Sequence, residues 1–240
     1  MSKRFYKEAV TSPADGKFWE VQLDGRGVKT PTGKPLRTPS RGLADRIRDE
    51  WAGQGEEIRP ETMPLTRLLG VSLERADTRD ELVADICAYA ATDYLSYRAD
   101  GPEDFARRQA DALDPMLDWA ADRGIPLRTT VSITAIEQDP LSLDRLAAHA
   151  RNYDDLGLTF FAHLTATYGS AILALAVMQG RLEAGEAFDL SQLDDDYRAE
   201  IWGEDEDAAA RAGAIRAETV EMSALLDHID VPALDSPAVM

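Results

Sequence analysis

Carboxylates come closest to a chemical pattern in this chain. Asp194-Asp195-Asp196 precede Tyr197, and Glu204-Asp205-Glu206-Asp207 follow Trp202-Gly203. Clustered carboxylates can hold Mg²⁺ or Ca²⁺, and one reading is therefore a metal-dependent hydrolase. The runs lack the D-x-[DN]-x-[DN]-G loop of an EF-hand, however. Acids at helix starts are also stabilised by the helix dipole, which favours a solvated capping role. A third reading takes Trp202 as an apolar interface anchor inside a charged rim. Composition leaves these readings open.

Other chemistry is harder to build. His149, His163 and His228 fall in no HExxH or Cys/His zinc spacing. His163 could serve as a general base, but a hydrogen-bonded core histidine is the commoner case. Cys87 lies between Ile86 and Ala88 and reads as a buried small residue. Gly27 and Gly33-Lys34 approach a phosphate loop, but the spacing is one residue too long and Pro35 replaces the hydroxyl residue. Gly25-Arg26-Gly27 lacks the third glycine of a dinucleotide fingerprint, where Thr30 stands. Both are read as turn glycines.

The elements that must position these groups change character along the chain. Trp19, Val21 and Leu23 alternate with polar residues and run into Asp24-Gly25, the signature of a strand and hairpin turn. Prolines and glycines fill the stretch to Pro39, after which Pro39-Ser40 opens a helix carrying Leu43, Ile47 and Trp51. From Pro64 onward helical spacing dominates. Helices are expected over 65–73, from about 82 to 97, over 105–121 with an interruption or kink at Asp114-Pro115, over 140–151, and around 189–202 and 205–228. A short strand or extended linker is expected over 127–134, and a loose tail over 231–240. The longest apolar run, Leu156 to Met178, has no Asp, Glu, Lys or Arg. It predicts one central buried helix. Its Thr159, His163, Thr167 and Ser170 form a weakly polar stripe, and Gly169-Ser170 suits close helix packing. Its flanks carry no basic cluster of the kind that orients a membrane span. The expected fold is α+β, with residues 1–65 a small β-rich domain bearing one helix and residues 66–240 a larger α-helical domain.

The totals narrow the partners. With 44 acidic against 26 basic residues the net charge is −18, which argues against nucleic acid or anionic membrane as the main partner. It favours, weakly, a basic protein. Mean hydropathy is −0.33. One cysteine excludes an internal disulfide. MSKRFYKEAV lacks the apolar run of a secretory signal, so a cytoplasmic protein is expected.

Seven short segments gain meaning together: Arg4-Phe5-Tyr6-Lys7; Val21-Gln22-Leu23-Asp24-Gly25-Arg26 leading to Lys29-Thr30-Pro31; Glu50-Trp51; Met63-Pro64-Leu65-Thr66; Asp93-Tyr94-Leu95-Ser96-Tyr97-Arg98; Asp114-Pro115-Met116-Leu117-Asp118-Trp119; and Glu200-Ile201-Trp202-Gly203-Glu204. In this order they resemble the assembly chaperone family of the F1 sector of ATP synthase, the factor that handles the F1 alpha subunit. The resemblance implies no catalysis and no cofactor. It implies a protein that binds unassembled alpha subunit and prevents its aggregation until it pairs with beta. An acidic position in the family's C-terminal Trp-Gly region matters for function. Here that region offers Glu200, Glu204 and Asp207, which with Trp202 form the expected partner-binding set. The chain resembles a bacterial, cytoplasmic version, and a monomer is expected of a cover that must come off.

Overall fold

The computed structural model describes residues 2–234. Ser2–Lys3 (β1) forms a small antiparallel ladder with a later strand, Glu57–Ile58 (β6). Between them lies a sheet centred on Phe18–Leu23 (β3). Ala9–Ala14 (β2) pairs along one side of β3, from Ala9 opposite Leu23 to Ala14 opposite Phe18. Arg26–Gly27 (β4) and Arg37–Thr38 (β5) also pair with β3. The expected alternation holds, because Val21 and Leu23 are buried and Gln22 is not. The turn after β3 places Asp24 at φ 48° and Gly25 at φ 79°. Asp24 tolerates this because its carboxylate accepts the backbone N–H groups of Lys7 and Glu8 at 3.0–3.1 Å. Those bonds hold its pKa below the ordinary carboxylate value.

Helix α1 (Arg41–Ala52) begins where Ser40 Oγ accepts the Leu43 N–H, and it lays Leu43 and Ile47 on the sheet. Arg4 secures its far end, donating to the carbonyls of Gln54 (2.5 Å) and Lys7 (3.2 Å) with its guanidinium over the Tyr6 ring. Pro64 opens α2 (Pro64–Glu74), a position where its missing N–H costs nothing. Two further helices follow, α3 (Arg79–Ala91) and α4 (Glu103–Ala121). The first ends earlier than the helical pattern to Tyr97 suggests, and Tyr94–Ser96 forms a separate 3₁₀ turn. Pro115 does not interrupt α4. Beside it, Arg98 donates to the Asp114 carboxylate at 2.8 Å and to the carbonyls of Leu95 and Gln109. The 127–134 stretch forms no strand; Thr130 makes one isolated parallel bridge with Tyr97.

After α5 (Pro140–Ala150) comes the main correction to the sequence reading. The run Leu156 to Met178 is two helices, α6 (Asp155–Tyr168) and α7 (Ala171–Met178). Gly169 ends the first at φ 61°, and Ser170 starts the second, its hydroxyl accepting the Leu173 N–H at 3.0 Å. The Gly-Ser pair is therefore a stop and a start rather than a packing notch. Fully buried Asp93 fixes the break, accepting the N–H of Leu95 on one oxygen and of Ile172 on the other. Every residue of α7 is buried. Eight residues are too few for a stable isolated helix. Packing supplies the stability, at ~1.5–3 kcal/mol for each large side chain taken from water.

Helices α8 (Ala184–Ser191) and α9 (Leu193–Trp202) replace the single helix expected over 189–202, with Gln192 at the joint. Helix α10 (Glu206–Ser223) passes into a 3₁₀ turn over Ala224–His228. Of the tail expected to be loose, the part up to Leu234 is held. The Gln179 amide donates to the Pro232 carbonyl at 3.0 Å and accepts the Leu234 N–H at 3.1 Å. Residues 235–240 lie outside the described residues. One continuous core joins sheet and helices, giving the expected α+β arrangement of a small strand-containing N-terminal part and a larger helical part. No helix among the described residues is long and apolar enough to cross a membrane.

Candidate functional site

Helix α9 is docked on α4 by ring stacking and by polar pairs. Tyr197 stacks on Phe105 with ring centroids 4.1 Å apart, and Arg108 donates to both oxygens of Glu200 at 2.7 and 2.9 Å. Asp194 belongs to the same joint, accepting from the Tyr94 hydroxyl (3.0 Å) and the Gln109 amide (2.9 Å). Burial and the adjacent carboxylate push the Tyr94 phenol well above its ordinary pKa. These bonds use one side of α9. The end of the helix is left bare, with Ile201 52% and Trp202 77% exposed. Gly203 ends α9 at φ 94°, and Asp205 starts α10 by accepting the N–H groups of Asp207 and Ala208 at 3.0 and 3.1 Å. Arg216 on α10 grips both oxygens of Asp189 on α8 at 2.7 and 2.8 Å.

A groove of about 550 Å³ opens between α8, α9 and α10. Phe188, Ala199 and Ala212 contribute apolar surface, and Trp202 stands at its edge. Asp195, Asp196, Glu204 and Asp205 give it a mainly acidic border, in which Arg198 pairs with Asp195 at 2.9 Å and Arg216 with Asp189. Partial burial and neighbouring carboxylates raise the Asp196 pKa, against the pull of Arg108. Of the four residues singled out from sequence, Trp202 and Glu204 line this groove. Glu200 is turned towards Arg108 on α4 instead, and Asp207 sits in the first turn of α10 without lining the groove. Asp195, Asp196 and Asp205 were missed as border acids. The signal was present: Asp195, Ala199 and Trp202 follow at steps of four and three, which puts them on one helical face and Glu200 off it.

The carboxylate runs are thus divided among separate tasks, and among the described residues no three His, Cys, Asp or Glu side chains are placed to hold a metal ion. His163 is half-buried, and its ring makes no hydrogen bond among the described residues, contrary to the expected hydrogen-bonded core histidine. Burial holds its pKa below the ordinary value, with Glu218 opposing and Arg67 assisting. Cys87 is half-buried rather than buried, 3.8 Å from the Leu143 carbonyl, and burial pushes its thiol pKa up.

A family model for the ATP12 chaperone protein matches residues 3–121. The fold is also that of Atp12 from Paracoccus denitrificans, with a TM-score of 0.87 and 39% identity over 94% of this chain and 97% of that one. The chain belongs to the ATP12 chaperone family. The Atu1473 protein of Agrobacterium tumefaciens is similar at 36% identity and a TM-score of 0.89, over 94% of this chain and 85% of that one. Mitochondrial atp12 of Schizosaccharomyces pombe is 24% identical over 220 residues, spanning 86% of this chain and 75% of that protein. Matches to the solved ATP12 structures extend through the helices that build the groove, beyond the residues the family model covers. ATP12 membership makes this a chaperone of ATP synthase assembly, the class whose short segments the sequence carries.

Proposed function

We propose that this protein binds the unassembled F1 alpha subunit and prevents its aggregation until alpha pairs with beta. The observation that carries the reading is the bare end of α9, where Ile201 and Trp202 stand exposed beside an apolar groove with an acidic border. A subunit of an obligate ring exposes apolar interface when alone, and such surface drives association. An aromatic anchor supplies the contact energy. The surrounding carboxylates select basic flanks and keep copies of the chaperone apart. On this reading the protein acts without catalysis, as a monomer in the cytoplasm. The partner-binding residues are Trp202 and Glu204, joined by Asp207 and Glu200 if Arg108 releases it.

The test is aggregation of purified F1 alpha subunit, followed by light scattering with and without an equimolar amount of this protein. An unrelated acidic protein of similar size is the control. Selective suppression with a complex recovered on gel filtration is expected. Equal scattering in all three samples, with both proteins folded, would overturn the reading.

A further inference from the structure

On the other side of α10 a second apolar trough runs along α6, walled by α2 and α3 opposite α10. It comprises two adjoining hollows of about 530 and 520 Å³ that share His163, Ala166 and Glu218. Buried Leu68, Ile86 and Met222 line its depth, while Val71 (46% exposed), Tyr89 (38%) and Ile215 (47%) present apolar surface to solvent along it. Helix α10 is a thin partition here, since Ala208 and Ala212 border both this trough and the groove below Trp202.

The trough does not share the acidity of the molecule. The chain carries −18, yet the trough places Arg67, Arg75 and Arg211 against only two carboxylates, Asp85 and Glu218. Both carboxylates are already engaged: Glu218 pairs with Arg67 across the trough, and Asp85 faces Arg75 at 4.0 Å, where Glu81 also approaches Arg75 at 3.5 Å. Arg211 is exposed and has no ion-pair partner among the described residues. An acidic side chain approaching this protein is repelled over most of the surface and meets an unpaired guanidinium here, at Arg211.

We propose that this trough docks an apolar, amphipathic segment of the client protein whose flank carries an acidic residue that pairs with Arg211. The proposal rests on the reading that the client is the F1 alpha subunit. It gives the chaperone two adjoining contact surfaces of opposite charge preference, so that a client segment with the wrong flanking charge is rejected by each. Amphipathic segments seat in such troughs through side chains at i, i+3, i+4 and i+7.

Two substitutions test it against wild type and Trp202→Ala, with binding to purified alpha subunit measured by titration. Ala166 is exposed on α6, so Ala166→Trp obstructs the trough without entering the core. Arg211→Glu reverses its free charge at an exposed position that unfolding does not threaten. Tenfold or greater weakening by both, with Arg211→Lys retaining wild-type affinity, is expected. Wild-type binding by Arg211→Glu overturns the acidic partner whatever Ala166→Trp does. Wild-type binding by both overturns the trough as a docking site while leaving the chaperone reading intact. No capture by folded wild-type protein would remove both together.

Discussion

Thr66 donates its backbone N–H at 2.8 Å and its hydroxyl at 2.5 Å to the carboxylate of Glu50, whose other oxygen takes the Leu65 N–H at 2.7 Å. Helix α2 starts at Pro64 with no cap of its own, and the first N–H groups of a helix need outside acceptors. The last turn of α1 provides them. Burial raises the Glu50 pKa, while the Thr66 and Leu65 bonds restrain it. Glu50 therefore ties the helix on the sheet to the first helix beyond it.

Glu50→Ala is expected to leave these buried donors unpaired and to cost about 2–3 kcal/mol of stability. Urea denaturation measures this. A loss below about 0.5 kcal/mol, the size of an ordinary surface change, would show that water replaces the carboxylate.

Asp93 makes a pH-dependent prediction. Burial pushes its pKa up to about 6 from 3.8, against hydrogen bonds from Ser170, Leu95 and Ile172. Below both values the folded and unfolded chains each hold the proton. Between them the folded chain keeps a proton that the unfolded chain has released, so this group's contribution to stability falls as pH rises through the window and is level above it. The advantage of wild type over Asp93→Asn is expected to be largest near the lower bound and to shrink towards neutrality. Denaturation midpoints of both proteins across that range decide it, and a constant gap would contradict the assignment.

Gly169→Ala tests the break between α6 and α7. A Cβ at this position meets nothing within 4 Å, so the cost is confined to the left-handed backbone at φ 61°. About 1–2 kcal/mol is expected, with Gly169→Asn losing less because Asn tolerates this conformation. Equal losses in thermal unfolding would point to packing instead.

Much of this was legible in advance, because local rules govern it. Ser40 before Leu43 and Ile47, and Asp24-Gly25 after an alternating strand, fix their elements with neighbours only. The Gly169 break was not legible from composition: its decisive partner, Asp93, is 79 residues from Ile172 in the chain. The family segments owe their types largely to such distant bonds. Arg4, Glu50, Asp93, Arg98 and Asp114 are staples between elements, whereas Trp202 and Glu204 face solvent. The face shared by Asp195, Ala199 and Trp202 needed only helical spacing. The same spacing puts Glu200 off that face, whereas its pairing with Arg108, 92 residues away, could not be read locally.

Trp202 and Glu200 should therefore separate in experiment. Trp202→Ala, at an exposed position, is expected to move stability by less than about 0.5 kcal/mol while weakening alpha-subunit capture at least tenfold. Breaking the partly exposed Arg108–Glu200 pair is expected to cost at most about 1 kcal/mol in a double-mutant cycle. Its effect on capture should be smaller than that of Trp202→Ala. The reverse order would place the client contact on the α4 side of α9.

The stop at Gly169 also sets lengths. An unbroken helix from Asp155 to Met178 would reach about 36 Å at 1.5 Å per residue, enough to match the ~30 Å hydrocarbon layer of a bilayer. Cut where it is, the same residues give rods of about 21 and 12 Å, each shorter than that layer. The most oil-like stretch of the chain is thereby kept below spanning length by one left-handed residue and one buried carboxylate.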